Sequence, residues 1–170
     1  MDQGIDTGDV LVQETYNILN DETGFDLYTR GMLLGAEMLR KHFSKIINKE
    51  ITPYKQSGLG SYYGKKNGKF TIDWQNKAEF IRNMIRVHAK PYNPAEALLL
   101  NRYVLINKAS IIRDDKYILQ GAGKIVDILE GNKLLVSCVD GFLRLDDYEI
   151  VPQLNKIEEE VYLRIGNKFD

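Results

Sequence analysis

The chain is poor in the residues from which reactive centres are most often built. It has one cysteine and two histidines in 170 residues, which excludes an internal disulfide and leaves too few ligands for a Cys/His metal cage. Neither His42 nor His88 has a carboxylate or cysteine at a ligand spacing, so no metal is expected. Charge of either sign is not in excess: 23 Lys and Arg stand against 24 Asp and Glu, a net charge of −1. That balance excludes a global attraction to nucleic acid or anionic membrane and leaves only a local basic patch. No uncharged apolar run approaches the ~20 residues of a bilayer span. The opening residues are acidic and lack the basic and apolar regions of a secretion signal, so a cytoplasmic setting without a membrane partner is expected. The phosphate-binding, dinucleotide-binding and nucleophile-elbow motifs are all missing. Gly121-Ala122-Gly123 precedes a strand pattern, not a helix, and reads as turn chemistry.

What is present is ordinary globular material, 44% hydrophobic and 28% charged, enough for one domain or two small ones. Val10 to Ile18 predicts a strand, β-branched and aromatic-rich. Phe25 to Ile47 predicts a long helix, with Thr23 and Asp26 resembling a capping box. Gly31 and Gly35, one turn apart, predict close packing against a neighbour. A second helix is expected from Asn76 to Val87, capped by Asn76 or Asp73, with His88 as a favourable partner of its dipole. After Pro91 and Pro94 the pattern becomes β: Leu98–Leu100, Tyr103–Ile106, Ala109–Ile112, Lys124–Leu129, Leu134–Val139, Gly141–Leu145 and Tyr148–Val151. Gly131-Asn132 and Asp140-Gly141 mark hairpins, and a short helix is expected around Ile157–Leu163. Short strands at this spacing predict a small barrel or curled sheet. Cys138 lies in an apolar run and reads as a buried structural thiol.

Two stretches can carry chemistry. The first is Gly4-Ile5-Asp6-Thr7-Gly8, a carboxylate between glycines at the mouth of the first expected strand. It reads either as a plain turn or as the acid of an active site. The second runs from Glu50 to Phe70, where Pro53, glycines, lysines and tyrosines crowd a segment without periodicity. It reads as a linker over residues 51–71. Its Tyr62, Tyr63, Lys65 and Lys66 are alternatively placed to touch a phosphate or a stacked base.

The opening Met-Asp-Gln-Gly-Ile-Asp-Thr-Gly-Asp-Val-Leu-Val-Gln-Glu resembles the last strand-and-loop motif of the 10-formyltetrahydrofolate-dependent formyltransferases. The resemblance continues in order. Phe25-Asp-Leu-Tyr through Gly35-Ala-Glu-Met-Leu is similar to the helix after that strand, and Ile72-Asp-Trp with Ala78-Glu-Phe-Ile is similar to the start of the C-terminal region. Pro91-Tyr-Asn-Pro-Ala stands where a Pro-Tyr-Pro-Gly-Ala type segment is expected, and Gly123-Lys-Ile-Val and Val139-Asp-Gly-Phe-Leu are similar to the terminal β-module.

The resemblance implies an α+β chain: residual strand and helix of an α/β formyltransferase domain over 1–50, a linker, then a helix and a small C-terminal β-barrel-like module over 72–170. It implies formyl transfer from 10-formyltetrahydrofolate to an amine, with Asp6 as the catalytic aspartate and Gly4, Ile5 and Asp6 in the loop lining the pterin pocket. The family's Asn and His lie before this motif, so the chain alone is expected to be inactive. In the C-terminal part basic residues are answered by acids such as Asp114, Asp127, Asp146 and Glu158. That favours an amino-sugar nucleotide as acceptor, with Tyr92 or the Tyr62–Tyr63 pair stacking on its base, over methionyl-tRNA. The other class of reading is a non-catalytic assembly module. An uncovered strand edge and helix face then predict self-association, or a partner supplying the N-terminal half.

Overall fold

The computed structural model describes residues 3–58, 60–64 and 69–170. The chain divides into two compact units, one of Met1–Asn20 with Asp26–Asn67 and one of Asp21–Phe25 with Gly68–Asp170.

The first unit is built on α1 (Gly24–Ile47), with Asp26 in its first turn and Lys45 in its last, each favourable to the helix dipole. Its inner side, with Leu27, Leu34, Met38 and Ile46, is half-buried, and no residue of the helix is fully buried. The strand expected over Val10–Ile18 does not form. Only Val10 pairs, in an isolated antiparallel bridge with Tyr54 whose two N–H···O bonds are 2.9 and 3.0 Å. β-rich composition supplies a surface for pairing but not a partner, and among the described residues no second strand lies alongside. The segment is held instead by side chains: Tyr16 donates to the Leu27 carbonyl at 3.2 Å and Arg30 to the Asn17 carbonyl at 2.5 Å. Tyr16 is also what Gly31 packs against, 3.0 Å from where a Cβ would stand. Gly35 has no such neighbour within 4 Å, contrary to expectation.

In the second unit, α2 (Ala78–His88) buries Ala78, Ile81 and Ile85. Its cap was not legible locally. The Ala78 N–H donates to Asp140 Oδ1 at 2.8 Å, across 62 positions of sequence. Asp73 instead holds the preceding turn through the Gln75 N–H and the Asn76 amide. Five antiparallel strands follow: β1 (Ala95–Leu99), β2 (Arg102–Ile112), β3 (Ile125–Leu129), β4 (Lys133–Ser137) and β5 (Phe142–Val151), in the order β1-β2-β5-β4-β3. Seven short strands were expected. Two pairs of them are continuous, because irregularities around Lys108 let β2 and β5 bend without breaking. Inward residues Val104, Ile106, Leu134, Leu143 and Leu145 meet Ile81, Ile85 and Trp74 in the main core.

β1 and β3 do not pair with each other, so the sheet is open and the barrel-like closure expected from strand spacing is not seen. A tail after α3 (Lys156–Tyr162) touches both edges. Ile125 N–H donates to the Asn167 carbonyl and Phe169 N–H to the Gly123 carbonyl, both at 2.8 Å, and Asp170 N–H to the Leu98 carbonyl at 2.9 Å. Among the described residues no helix is long and apolar enough to cross a membrane.

Two features of this unit predict measurable stability effects. The Leu99–Arg102 pair leaves Leu100 and Asn101 as a two-residue turn, and Leu100 sits at φ 56 with its side chain 45% exposed. A Cβ is disfavoured in this left-handed region by about 1 kcal/mol. Leu100→Gly or Leu100→Asn is therefore expected to raise the unfolding free energy by an amount of that order, read as a higher urea midpoint at unchanged slope. The second feature is alkaline sensitivity. Burial, and secondarily Asp140, pushes the Cys138 thiol up from 9.0 to about 12. Burial, and secondarily Glu159, pushes the Tyr148 phenol from 10.0 to about 12. Both stay protonated in the folded chain where the unfolded chain ionises. These two groups leave stability unchanged between about pH 7 and 9 and lower it as the pH rises from 9 towards 12. Thermal unfolding from pH 7 to 11 checks this, and a Tm unchanged over that range would contradict it.

Candidate functional site

The Gly4–Asp9 loop in the first unit is shaped by its own sequence. A Cβ at Gly4 would stand 2.4 Å from the Thr7 hydroxyl, so the loop closes on itself only with glycine there. Asp6 takes φ 56, a conformation that aspartate tolerates better than most residues. Gln56 then locks the loop: its side-chain amide donates to the Asp6 and Gly8 carbonyls, each at 2.8 Å. Tyr54, two residues earlier, pairs with Val10 and donates to Gln13 Oε1 at 3.1 Å. The segment from Pro53 to Gln56 is thus a wall of the loop.

Together these residues surround an open pocket of about 860 Å³ lined by Gly4, Asp6, Gly8, Asp9, Leu11, Pro53 and Gln56. The Asp6 carboxylate has no hydrogen-bond partner among the described residues and is exposed. Chemically the pocket offers two carboxylates and an amide, but its lining has no imidazole. Such a lining can accept hydrogen bonds from a polar N–H ligand and orient a proton carrier supplied by another group. Of the residues expected to hold a cofactor, Gly4 and Asp6 share this pocket. Ile5 is 92% exposed and outside the lining.

The expected substrate residues are not brought together. Tyr62 and Tyr63 are 93% and 89% exposed in the first unit. Tyr92 belongs to the second unit, where its ring stands edge-on to Phe25 at 6.3 Å. Lys65 and Lys66 lie outside the described residues. His42 is half-buried on α1, and His88, the last residue of α2, stacks on Phe70 at 5.0 Å. Among the described residues no three or more His, Cys, Asp or Glu stand close enough to hold a metal ion. Sequence reasoning missed Gln56 and Pro53, since a lone glutamine in an aperiodic segment carries no local signal of what it will bond.

In the second unit, five cations are answered by acids as follows. Lys69 pairs with Glu96 at 3.2 Å, Arg102 with Glu158 at 2.6 Å, Lys116 with Asp114 at 3.3 Å and Arg144 with Asp146 at 2.5 Å, while Lys90 pairs with Glu149. The Asn155 backbone N–H, with help from Arg102, holds the Glu158 carboxyl below its usual range. A cleft of about 650 Å³ between β5, the β3–β4 turn and α3 is walled by Asp147, Glu149 and Glu159.

Residues 65–156 match the C-terminal domain of the formyl transferases, more than half of the chain. The chain belongs to the formyltransferase family. It is 33% identical over 153 residues to the methionyl-tRNA formyltransferase of Alkaliphilus oremlandii, covering 88% of this chain and 47% of that protein. It is 32% identical to the one from Clostridium tetani, over all of this chain and 54% of the relative. The chain spans about half the length of the curated relatives it matches. Among solved structures it is similar to the sugar 3N-formyl transferase WlaRD, crystallised with dTDP and 5-N-formyl-THF. The identity is 25%, the TM-score 0.67, and the match covers 91% of this chain and 53% of that one. It also shares the fold of the N-formyltransferase from Helicobacter canadensis, solved with folinic acid and dTDP-3-aminofucose. There the TM-score is 0.65 at 24% identity, over 87% of this chain and 53% of that one.

Proposed function

We propose that this formyltransferase-family chain supplies the carboxylate side of a formyl-transfer site, with 10-formyltetrahydrofolate as donor and the amine of an amino-sugar nucleotide as acceptor. The observation that carries the first part is the Asp6 loop: a glycine-flanked carboxylate without a partner among the described residues, locked by Gln56 on an open pocket. The open pocket has room for a flat ring, and Asp6 and Asp9 accept from its N–H donors. The donor, when bound, presents an electrophilic formyl carbon. The acceptor nitrogen forms the new C–N bond there, the bond to the folate N10 breaks, and the ammonium proton passes to that leaving nitrogen. Asp6 orients the group that carries the proton. Because the lining holds no imidazole, this chain by itself is expected not to turn over. Formyl transfer is to be assayed with and without the N-terminal half of a relative, and activity from this chain alone would overturn the claim.

The charge balance of the second unit supports the sugar nucleotide. A tRNA interface needs Lys and Arg that are available to phosphates, whereas here five basic side chains are taken up in ion pairs and the cleft beside β5 carries four acids against Lys133. The exposed Tyr62 and Tyr63 are available to stack on a base. The sequence relatives named above favour the second reading, methionyl-tRNA. Filter binding to tRNA and thermal protection by a dTDP-amino-sugar separate the two. Protection by the sugar nucleotide with weak tRNA binding is expected, and tight, salt-sensitive tRNA binding would sink the sugar assignment.

A further inference from the structure

A carboxylate that orients a proton carrier has to emerge in one direction, and the local sequence around Asp6 does not secure one. Asp6 stands at φ 56, in the left-handed region where a Cβ is disfavoured, and the glycines at positions 4 and 8 add backbone freedom on either side. The direction is fixed from 50 and 48 positions away. The side-chain amide of Gln56 donates to the Asp6 carbonyl and to the Gly8 carbonyl, each at 2.8 Å. Both bonds form together only when these two carbonyls, two residues apart, face the same side. That condition sets ψ at Asp6 and at Gly8, and with it the side of the loop on which the carboxylate stands.

Gln56 reaches this place already ordered. Two residues earlier, Tyr54 is tied to Val10 by backbone bonds of 2.9 and 3.0 Å and to Gln13 Oε1 by its hydroxyl at 3.1 Å. Little freedom is left to lose when the glutamine closes on the loop. Both protons of its amide nitrogen are committed there, so towards the pocket that it also lines Gln56 has only its oxygen to offer, as an acceptor. We propose that Gln56 is a positioning residue of formyl transfer, holding the Asp6 carboxylate towards the pocket through the main chain. The inference rests on the formyl-transfer reading of Asp6 and deepens it. Gln56 is itself exposed, so replacing it opens no cavity and the consequence stays in the loop.

A double-mutant cycle tests it, pairing Asp6→Asn with Gln56→Met, which keeps the length of the side chain and removes its donors. Two quantities are read: backbone order parameters by NMR on the chain alone, and kcat and KM with the N-terminal half of a relative present. Gln56→Met is expected to lower the order parameters of the Gly4–Asp9 loop and not those of α1. It should also lower kcat by about 10–100-fold, the cost of a misplaced group, with little change in KM. In the Asp6→Asn background the same replacement should cost less than ~3-fold, because the group it positions is already gone. A loop as ordered as before, an unchanged kcat, or an equal loss in both backgrounds would overturn the proposal and leave the role of Asp6 standing. Full activity of Asp6→Asn would instead remove the formyl-transfer reading, and the role of Gln56 with it.

Discussion

Replacing Asp6 by asparagine is expected to lower formyl transfer by about 10²–10⁴-fold, the range a positioned acid–base group contributes, with a much smaller change in donor binding. Asparagine keeps the shape and one acceptor oxygen, so the loop should survive. Its fold depends on the Gly4–Thr7 contact and on the two Gln56 bonds to main-chain carbonyls, neither of which uses the Asp6 side chain. What is lost is the negative charge that holds a neighbouring proton carrier in its productive state. The measurement is kcat and KM of the chain reconstituted with the N-terminal half of a relative. A fall confined to kcat supports the assignment. Full activity of Asp6→Asn would show that the loop is a turn and nothing more.

Phe169→Ala is expected to destabilise the second unit by about 3–5 kcal/mol, a large share of the 5–15 kcal/mol typical of a whole domain. The ring is 1% exposed and lies 5.1 Å from Trp74 in the main core. Its backbone adds the bond to Gly123, and the fit there is close. A Cβ at Gly123 would stand 2.8 Å from the Phe169 carbonyl oxygen, and that glycine already has φ +82. Losing the ring thus leaves a cavity and releases the tail from both sheet edges. Urea unfolding, compared at constant slope, reads the effect. Gly123→Ala is an independent check, because it strains the same contact without removing any core atom. A change below 1 kcal/mol in both variants would mean that the tail is only loosely attached.

The parts of the fold that were legible share one property: their signal is local. The apolar stripes and charges of Gly24–Ile47 and Ala78–His88 lie within each helix. The hairpin at Gly131-Asn132 is written in two residues of positive φ, 75 and 57. The short helix before the tail carries its own capping box, Asn155 with Glu158. Of the candidate site, the glycine-flanked Asp6 stood out for the same reason. Gln56 did not, although it bonds the loop across 48 and 50 positions.

Sequence alone therefore determined the helices, the turns, the antiparallel hairpins and the buried thiol of Cys138. Tertiary structure decided what each of these meets: that Val10–Ile18 finds one bridging residue in place of a strand, that Asp140 and not Asn76 caps α2, and that the tail, not a sixth strand, touches both edges of the sheet. The physical reason is that periodicity and turn chemistry are properties of a few neighbouring residues. Hydrogen-bond partners and burial depend on groups that come close only when the whole chain has folded.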